Sequence, residues 1–190
     1  MMTKTRCAWC QTSDKMIHYH DNYWGTPLHD DHELYAKLVL DLNQAGLSWN
    51  TILNKMENFY TAFDNFDIAK VAQYDDGKRA ELLQNAGIIR NRLKINAAIV
   101  NAQKVLEIQR EFGSFDKYLW GFVDGKTVQH HVTDESKIPA SDALSDKISK
   151  DMKKRGFKFT GTTVIYAYLQ AVGVINDHVE GCFRYKELVN

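Results

Sequence analysis

An all-α fold, arranged as a compact helical bundle, is predicted for this chain of 190 residues by three features. Apolar residues recur with the helical period, as in segment 32–43, where Leu34, Leu38 and Leu42 form one stripe. Capping residues stand before most of these stripes, and no segment alternates apolar and polar residues repeatedly, as strands do. The connections between stripes are short, which favours a bundle.

Most predicted helices begin at a side chain that can accept hydrogen bonds from the first free backbone N–H groups. Asp30 or Asp31 can cap the first helix, Ser48 the second and Asp67 the third. The fourth helix is followed by Gly87, where a left-handed residue would end it. The predicted helices cover 32–43, 48–63, 68–73, 78–86, 91–112, 114–122, 141–154 and 162–172, with an irregular segment at 123–138 that contains a turn at 124–125.

The amino-acid composition indicates a globular protein and argues against a membrane-spanning one. With 44% hydrophobic and 25% charged residues, the chain is predicted to form one globular unit over 1–190. Its net charge of zero excludes a global field that draws in nucleic acid. The apolar runs are too short and too polar to span a bilayer, so we expect no membrane partner. The start of the chain lacks an apolar stretch, and there are three cysteines, so we expect reduced thiols and a cytoplasmic, monomeric protein.

Two pairs of metal-type ligands lie at opposite ends of the chain. Cys7 and His20 are spaced C-x12-H, and His178 and Cys182 are spaced H-x3-C. Two thiolates and two imidazoles suit a closed tetrahedral Zn²⁺ site, so a structural zinc ion would join segments 7–20 and 178–182. Chance pairing of scattered cysteines and histidines is the alternative. The C-x2-C pair of Cys7 and Cys10 is a competing redox or zinc-knuckle half-site.

A helix, a glycine turn and a second helix are predicted near 78–100. Such a hairpin can present backbone N–H groups and a helix N-terminus to a DNA phosphate, with Arg90, Arg92 and Lys94 beside Gly87. An ordinary corner between two helices is the alternative. A second basic cluster at 147–158 is equally compatible with a solvated helix face.

Five segments together resemble the DNA-3-methyladenine glycosylase I family, in its order and spacing across essentially the whole chain. The segments are Tyr19-His20-Asp21-Asn22-x-Trp24-Gly25, Gln44-Ala45-Gly46-Leu47-Ser48-Trp49, Ala86-Gly87-Ile88-Ile89-Arg90-x-Arg92-x-Lys94-Ile95, Lys154-Arg155-Gly156-Phe157-Lys158-Phe159-x-Gly161-Thr162-Thr163 and Asn176-Asp177-His178-x3-Cys182.

This resemblance implies a helix-hairpin-helix glycosylase of base excision repair, with one structural Zn²⁺ per chain on Cys7, His20, His178 and Cys182. Cys10 would then be a bystander. The implied reaction is hydrolysis of the N-glycosidic bond of N3-methyladenine in double-stranded DNA, which releases free 3-methyladenine and leaves an abasic site. No lysine stands in a sequence context that suggests Schiff-base chemistry, so we expect a monofunctional enzyme without a lyase step.

The resemblance also implies roles for individual residues. Trp49 would stack on the base, Tyr19 would meet its edge, and Trp9 and Trp24 would complete an aromatic wall. The family's plug, which fills the gap left by an extruded base, falls on Gly46 and Leu47, and Arg155 and Lys158 are expected to contact phosphate. Core packing is the alternative for each tryptophan and is preferred for Trp120.

Asp41 is a departure from the family pattern, which usually has Glu at this position and a small residue where Leu42 stands. The shorter side chain would hold its carboxylate about 1.5 Å further back. A solvated helix residue is the alternative for Asp41. Two other functions stay open: a zinc-stapled module that binds damaged DNA without base release, and a zinc hydrolase, which would need an open metal position.

Overall fold

The computed structural model describes residues 4–189 and confirms the all-α prediction. The helices are α1 (Asp14–Asn22), α2 (Asp31–Gln44), α3 (Trp49–Ala62), α4 (Ile68–Val71), α5 (Asp76–Gln84), α6 (Arg92–Phe112), α7 (Phe115–Trp120), α8 (Ala143–Lys154), α9 (Thr162–Ala171) and α10 (Phe183–Leu188). Short 3₁₀ turns lie at Ala8–Cys10, Asp64–Phe66, Gly121–Val123 and Glu135–Lys137. Among the described residues, no helix is long and apolar enough to cross a membrane.

Helix α2 lies at the centre of the molecule and packs against α3, α6, α7 and α9. Its predicted stripe of Leu34, Leu38 and Leu42 is fully buried. Asp30 is the residue that caps it, because its side chain accepts from the backbone N–H of Glu33. The burial of nearly the whole second half of α2 places its later polar residues inside the protein, where they can form a site.

Helix α1 carries two of the predicted site residues, but the sequence did not predict this helix. Ser13 caps it by accepting a hydrogen bond from the backbone N–H of Met16. Met16, Tyr19 and His20 form the buried face of α1. The signal was weak because this face combines one aliphatic-type side chain with two polar aromatic rings, so hydrophobic periodicity does not reveal it.

Two very short parallel strands were also missed: β1 (Val128–Gln129) and β2 (Ile175–Asn176). Val128 pairs with Ile175 and Gln129 with Asn176. Strands of two residues are too short for an alternating pattern. The predicted turn at 124–125 is present, and β1 follows it, so the irregular segment is held against the residues that lead into His178.

Two glycines that follow helices, Gly173 after α9 and Gly87 after α5, are required for different reasons. Gly173 has a φ of 75°, and a side chain there would place its Cβ 2.5 Å from the backbone of Thr26. Gly87 does not adopt the predicted left-handed conformation. Instead, a Cβ at Gly87 would lie 2.9 Å from Oδ1 of Asn85 and 3.1 Å from Cβ of Asn58. Close approach, and not backbone conformation, requires this glycine.

Candidate active site and metal centre

The four predicted metal ligands lie together, although they come from opposite ends of the chain. One ligand atom from each of Cys7, His20, His178 and Cys182 lies within 4.8 Å of the others, and all four residues are buried. The Sγ atom of Cys7 is 3.6 Å from Nδ1 of His178. The Sγ atom of Cys182 is 3.4 Å from Nε2 of His20 and 3.7 Å from Nδ1 of His178. This group could hold a metal ion.

The three sulfur–nitrogen distances of 3.6, 3.4 and 3.7 Å are close to those of a tetrahedral site. With Zn–S and Zn–N bonds of about 2.3 and 2.0–2.1 Å, a tetrahedron separates sulfur from nitrogen by about 3.6 Å. A contact with Cys7 and contacts with both imidazoles also lower the pKa of Cys182, which favours the thiolate that a metal requires, although burial opposes this. Cys10 lies outside the four, with its thiol directed at the backbone carbonyl of Cys7, 3.1 Å away.

Both histidine rings are oriented by their second nitrogen, as metal-binding imidazoles usually are. Nε2 of His178 lies 3.1 Å from the carbonyl of Trp24, and Nδ1 of His20 lies 2.9 Å from Oδ1 of Asp21. Arg6 in turn forms a bidentate ion pair with Asp21. These contacts leave the remaining nitrogen of each ring to face the two sulfur atoms.

A cavity of about 240 Å³ lies beside the metal-type cluster. Its lining combines aromatic rings, one carboxylate and two amides: Trp9, Tyr19, Trp24, Asp41, Gln44, Trp49, Ile138, Ala167, Gln170 and Ala171. All five residues that the sequence analysis assigned to catalysis or to the base pocket line this one cavity. Of the other lining residues, neither glutamine was predicted to serve the site.

The aromatic walls of the cavity meet at defined angles. The rings of Tyr19 and Trp49 have centroids 5.2 Å apart and are inclined at 42°. Trp9 meets Trp24 edge to face at 5.0 Å. Trp24 also meets the ring of His178 edge to face, at 4.6 Å, so the wall of the cavity rests directly on the metal-type cluster. Trp24 is also buried, and Trp9 and Trp49 pack against it, so these tryptophans pack in the interior and line the cavity as well.

Asp41 is buried, with 4% of its surface exposed, so the alternative of a solvated helix residue is wrong. Its Oδ2 atom has no hydrogen-bond partner in the described part of the chain. Burial raises the pKa of Asp41 to about 6, against the attraction of Lys37, which lowers it. An unpartnered carboxylate oxygen in the cavity lining is a ready acceptor for a ligand.

Lys37 lies one turn before Asp41 on α2 and was not predicted as a site residue. Its Nζ atom lies 3.9 Å from Oδ1 of Asp41 and donates a hydrogen bond to the hydroxyl of Tyr19. The same atom lies 3.8 Å from the centroid of the Trp49 ring. Burial lowers the pKa of Lys37 to about 8, although Asp41 opposes this. The only sequence signal was its spacing of four residues from Asp41.

Gln170 is a second side chain that the sequence analysis missed. Its Nε2 donates to Oδ2 of Asp177 over 2.7 Å, and Asp177 also accepts from the hydroxyl of Tyr166. The amide oxygen of Gln170 and the second N–H of its amide nitrogen are therefore not used by this contact. Asp177 is fixed further by Nδ1 of His130, 2.7 Å away.

The predicted plug lies in the loop between α2 and α3. Gly46 has a φ of 78°, and Leu47 exposes 40% of its surface, which is high for a leucine. Ser48 caps α3, as predicted, by accepting from the backbone N–H of Thr51. Leu47 is therefore exposed at a tight turn, two residues before Trp49.

Lys94 differs from its predicted role as a phosphate contact. It exposes only 6% of its surface, and its Nζ donates to the carbonyls of Asn43 and Ala45, each over 2.7 Å. An ammonium group satisfied by two carbonyls at the end of a helix stabilises the loop that follows. Lys94 therefore holds the base of the plug loop and is directed away from solvent.

Backbone N–H groups in the turn before Lys94, which were predicted to face a DNA phosphate, are hydrogen-bonded within the protein. The backbone N–H of Gly87 donates to Oδ1 of Asn85 over 2.8 Å, and Asn91 caps α6 through the N–H groups of its first turn. These donors are engaged within the protein. Arg90 and Arg92 are exposed and keep their charges at the surface beside the turn.

The other two predicted phosphate contacts differ in their surroundings, since Arg155 is ion-paired and Lys158 is exposed. The guanidinium of Arg155 forms a bidentate pair with Glu111 and donates to Asp151 over 2.8 Å. Its charge is thus already balanced within the protein. Lys158 is exposed, while its backbone N–H and carbonyl are fixed by the side-chain amide of Asn101.

The fold and the site define a helical protein with an aromatic cavity, a buried carboxylate and a closed cluster of four metal-type ligands. A family model described as methyladenine glycosylase matches residues 9–185. The chain belongs to the methyladenine glycosylase family. The DNA-3-methyladenine glycosylase 1 of Escherichia coli is 44% identical to it over 180 residues, which cover 95% of this chain and 96% of the relative.

Solved structures agree with this assignment. A crystal structure of 3-methyladenine DNA glycosylase I is similar with a TM-score of 0.91 at 44% identity, over 94% of this chain and 98% of that chain. The 3-methyladenine DNA glycosylase I of Staphylococcus aureus, solved to explain 3-methyladenine recognition, is similar with a TM-score of 0.90 at 36% identity, over 94% and 95% of the two chains.

Proposed function

We propose that this chain hydrolyses the N-glycosidic bond of N3-methyladenine in double-stranded DNA and leaves an abasic site. The observation that supports this most directly is the cavity of about 240 Å³, in which the rings of Tyr19 and Trp49 lie beside the unpartnered carboxylate of Asp41. Membership of the family and the 44% identity to a DNA-3-methyladenine glycosylase support the same reaction.

The chemistry of the lesion suits this cavity. Methylation at N3 makes the adenine cationic, so the glycosidic bond is weakened and the base departs neutral, with less need for acid catalysis than a normal purine. Aromatic faces attract a desolvated cationic base by about 2 kcal/mol. Asp41 adds an acceptor for the amino edge of the base, and an ionised carboxylate makes the stronger bond.

Extrusion of the base is the step that we assign to the surface around Leu47. Flipping a nucleotide out of the duplex costs a few kcal/mol, and less for a damaged base. The exposed Leu47 would fill the gap in the duplex, while Arg90, Arg92 and Lys158 would balance phosphate charge. The α5–α6 unit near 78–100 would serve as the DNA-binding hairpin. Lys94 would act indirectly, by holding the plug loop.

We further propose that Cys7, His20, His178 and Cys182 hold one Zn²⁺ per chain. Four protein ligands leave no coordination position for water, so the ion would supply structural bonds and no catalytic chemistry. By joining segments 7–20 and 178–182, these bonds would make residues 1–190 one unit. The described cysteines are all free, which supports a reducing, cytoplasmic location. A monomer suffices for a single lesion in a duplex.

A base-release assay on methylated duplex DNA tests the proposed reaction. We expect the wild-type chain to release free 3-methyladenine, Trp49→Phe to retain most of this activity because a ring remains, and Trp49→Ala to lose it at least tenfold. Strand cleavage without added base should be absent, since we propose no lyase step. Tight binding to damaged DNA with no released base would favour the binding-module alternative. Activity that depends on the metal while folding does not would favour the zinc-hydrolase alternative.

A further inference from the structure

Lys37 contacts every residue that we assign to recognition of the base edge, yet it does not line the base cavity. Its Nζ donates to the hydroxyl of Tyr19, lies 3.9 Å from Oδ1 of Asp41 and lies 3.8 Å from the ring centroid of Trp49. The lysine lines a second, larger cavity of about 850 Å³, which shares Tyr19 and Ala171 with the base cavity. Lys37 therefore approaches the site from behind its wall.

We infer that Lys37 is a positioning residue that holds Asp41 as a carboxylate and the Tyr19 hydroxyl as a hydrogen-bond donor toward the base. This inference rests on the proposed function and deepens it. The two groups then present a fixed acceptor and a fixed donor side by side. That pattern matches the edge of adenine, where an amino donor adjoins a ring-nitrogen acceptor, and it mismatches guanine at the carbonyl oxygen O6.

The orientation of the Tyr19 hydroxyl follows from the chemistry of an ammonium group. Lys37 has only donors, so the phenolic oxygen of Tyr19 must accept in their contact. The hydroxyl proton then points away from Lys37. Because Tyr19 lines the base cavity, this proton is available to a ring nitrogen of the bound base.

The charge of Asp41 depends on Lys37 because Lys37 is the cation beside it. The titratable groups that face Asp41 are Lys37 on its own helix, Tyr19 on α1 and Tyr168 on α9. Burial raises the pKa of Tyr168 well above 10, so this hydroxyl stays neutral and Lys37 is the charged neighbour of Asp41. Without Lys37, an unpaired carboxylate in this setting would take up a proton at neutral pH.

Lys37 also reduces the electrostatic preference of the cavity for a positively charged base. Its ammonium covers the Trp49 ring, and like charges within several ångströms of each other repel in a desolvated site. With Lys37 and Asp41 as a pair, the cavity has no net charge from these two groups. Discrimination therefore rests more on the hydrogen-bond pattern and less on the cationic character of the lesion.

Removal of the ammonium group in Lys37→Met, with Lys37→Arg and Lys15→Met as comparisons, tests the inference. For Lys37→Met we expect the acidic limb of the pH–rate profile to move up by about one unit, which at pH 7 lowers the ionised fraction of Asp41 only about twofold. Single-turnover release of 3-methyladenine at pH 7 should fall further, about tenfold, because the Tyr19 hydroxyl also loses the ammonium group that fixes its direction. Lys37→Arg should keep the limb near its wild-type position. Lys15→Met removes an exposed ammonium from the second cavity and should leave the profile unchanged.

Three further measurements separate failure of this inference from failure of the proposed reaction. A ¹³C NMR titration of the Asp41 carboxyl needs no activity and should show its pKa rising in Lys37→Met. In Lys37→Met, the ratio of 3-methyladenine to 3-methylguanine release should fall. An unmoved Asp41 pKa or an unchanged ratio would overturn the positioning role. Borohydride trapping should yield no adduct, whereas a covalent DNA adduct lost in Lys37→Met would make Lys37 a nucleophile and overturn the inference.

Discussion

Nε2 of His178 lies 3.1 Å from the backbone carbonyl of Trp24, and this contact joins the metal-type cluster to the base cavity. The Trp24 indole lines the cavity, and its carbonyl fixes the ring that faces Cys7 and Cys182. Gly25 follows with a φ of 76°, and a Cβ there would lie 2.8 Å from Nε2 of His178. The chain therefore passes so close to the imidazole that one segment serves both sites.

Removal of the proposed metal should abolish folding stability and base release together. Structural zinc contributes its binding free energy directly to folding. We expect a chelator, or Cys182→Ser, to lower the melting temperature and base release in parallel, with one zinc per chain found by elemental analysis of the untreated protein. Cys10→Ser is the matched control, because Cys10 lies outside the four ligands and should keep the metal. Loss of activity with an unchanged melting temperature would contradict a structural role.

The contribution of Asp41 to the free energy of unfolding should decrease as pH rises, whereas that of an ion-paired surface carboxylate increases. Its pKa is raised from 3.8 to about 6, so its contribution is fully present below pH 3.8 and is lost as pH rises through 6. The free energy of unfolding of the wild type, minus that of Asp41→Asn, should fall by up to about 3 kcal/mol between pH 4 and pH 7. Urea titrations at several pH values measure this difference. A difference that grows with pH would show that the pKa of Asp41 is lowered.

Asp41→Glu should raise the rate of base release, because the longer side chain carries the carboxylate further into the cavity. The gain should disappear in Asp41→Gln, which has the same length without the charge. Single-turnover release of 3-methyladenine at pH 7 measures both. Full activity in Asp41→Asn would remove any role for the negative charge at this position.

Lys94→Met should destabilise the protein and loosen the plug loop. The substitution leaves the carbonyls of Asn43 and Ala45 without their donor, at a cost of about 2–3 kcal/mol. Base release from duplex DNA should fall with it. Lys55→Met is the control, since Lys55 donates to a single, exposed carbonyl, and its unfolding free energy should change far less. Equal losses in the two variants would contradict the specific role of Lys94.

Arg90 and Arg155 should differ in how they affect the salt dependence of DNA binding. Arg90→Ala removes an exposed charge beside the α5–α6 turn, so the slope of log K against log salt should decrease by about 1. Arg155→Ala should change this slope less, because Glu111 and Asp151 already balance its charge. Fluorescence anisotropy over a range of salt concentrations tests both. A larger slope change for Arg155 would restore its predicted phosphate contact.

Much of the site could be recognised from the sequence because the ligand pairs have a distinctive spacing and the cavity residues are implied by the resemblance of the chain to a known family. The four metal-type ligands and the five cavity residues were all named in advance, and the structure brings each group together. Lys37 and Gln170 were missed because neither stands in a motif. The contact of Lys37 with Tyr19 forms only because α1 lies beside α2 in the fold, and it joins residues far apart in the chain.

For Lys94 and Gly87 the predicted role and the role in the structure differ, because neighbouring helices surround both residues. Lys94 has the sequence context of a phosphate ligand, but the end of α2 presents it with two carbonyls, so its ammonium is bound inside the protein. Gly87 has the context of a left-handed helix end, but the approach of Asn58 is what excludes a side chain there. Both outcomes depend on neighbours from other helices.

The sequence by itself determined helices α2–α9, most of their caps and the residue types of the site, because these depend on local spacing and on chemistry that each side chain carries with it. Only the tertiary structure decided which charges face solvent, which are paired, and that Lys37 stands behind the aromatic wall. Ionisation and hydrogen-bond direction depend on the distance to groups on other helices, and packing alone sets that distance.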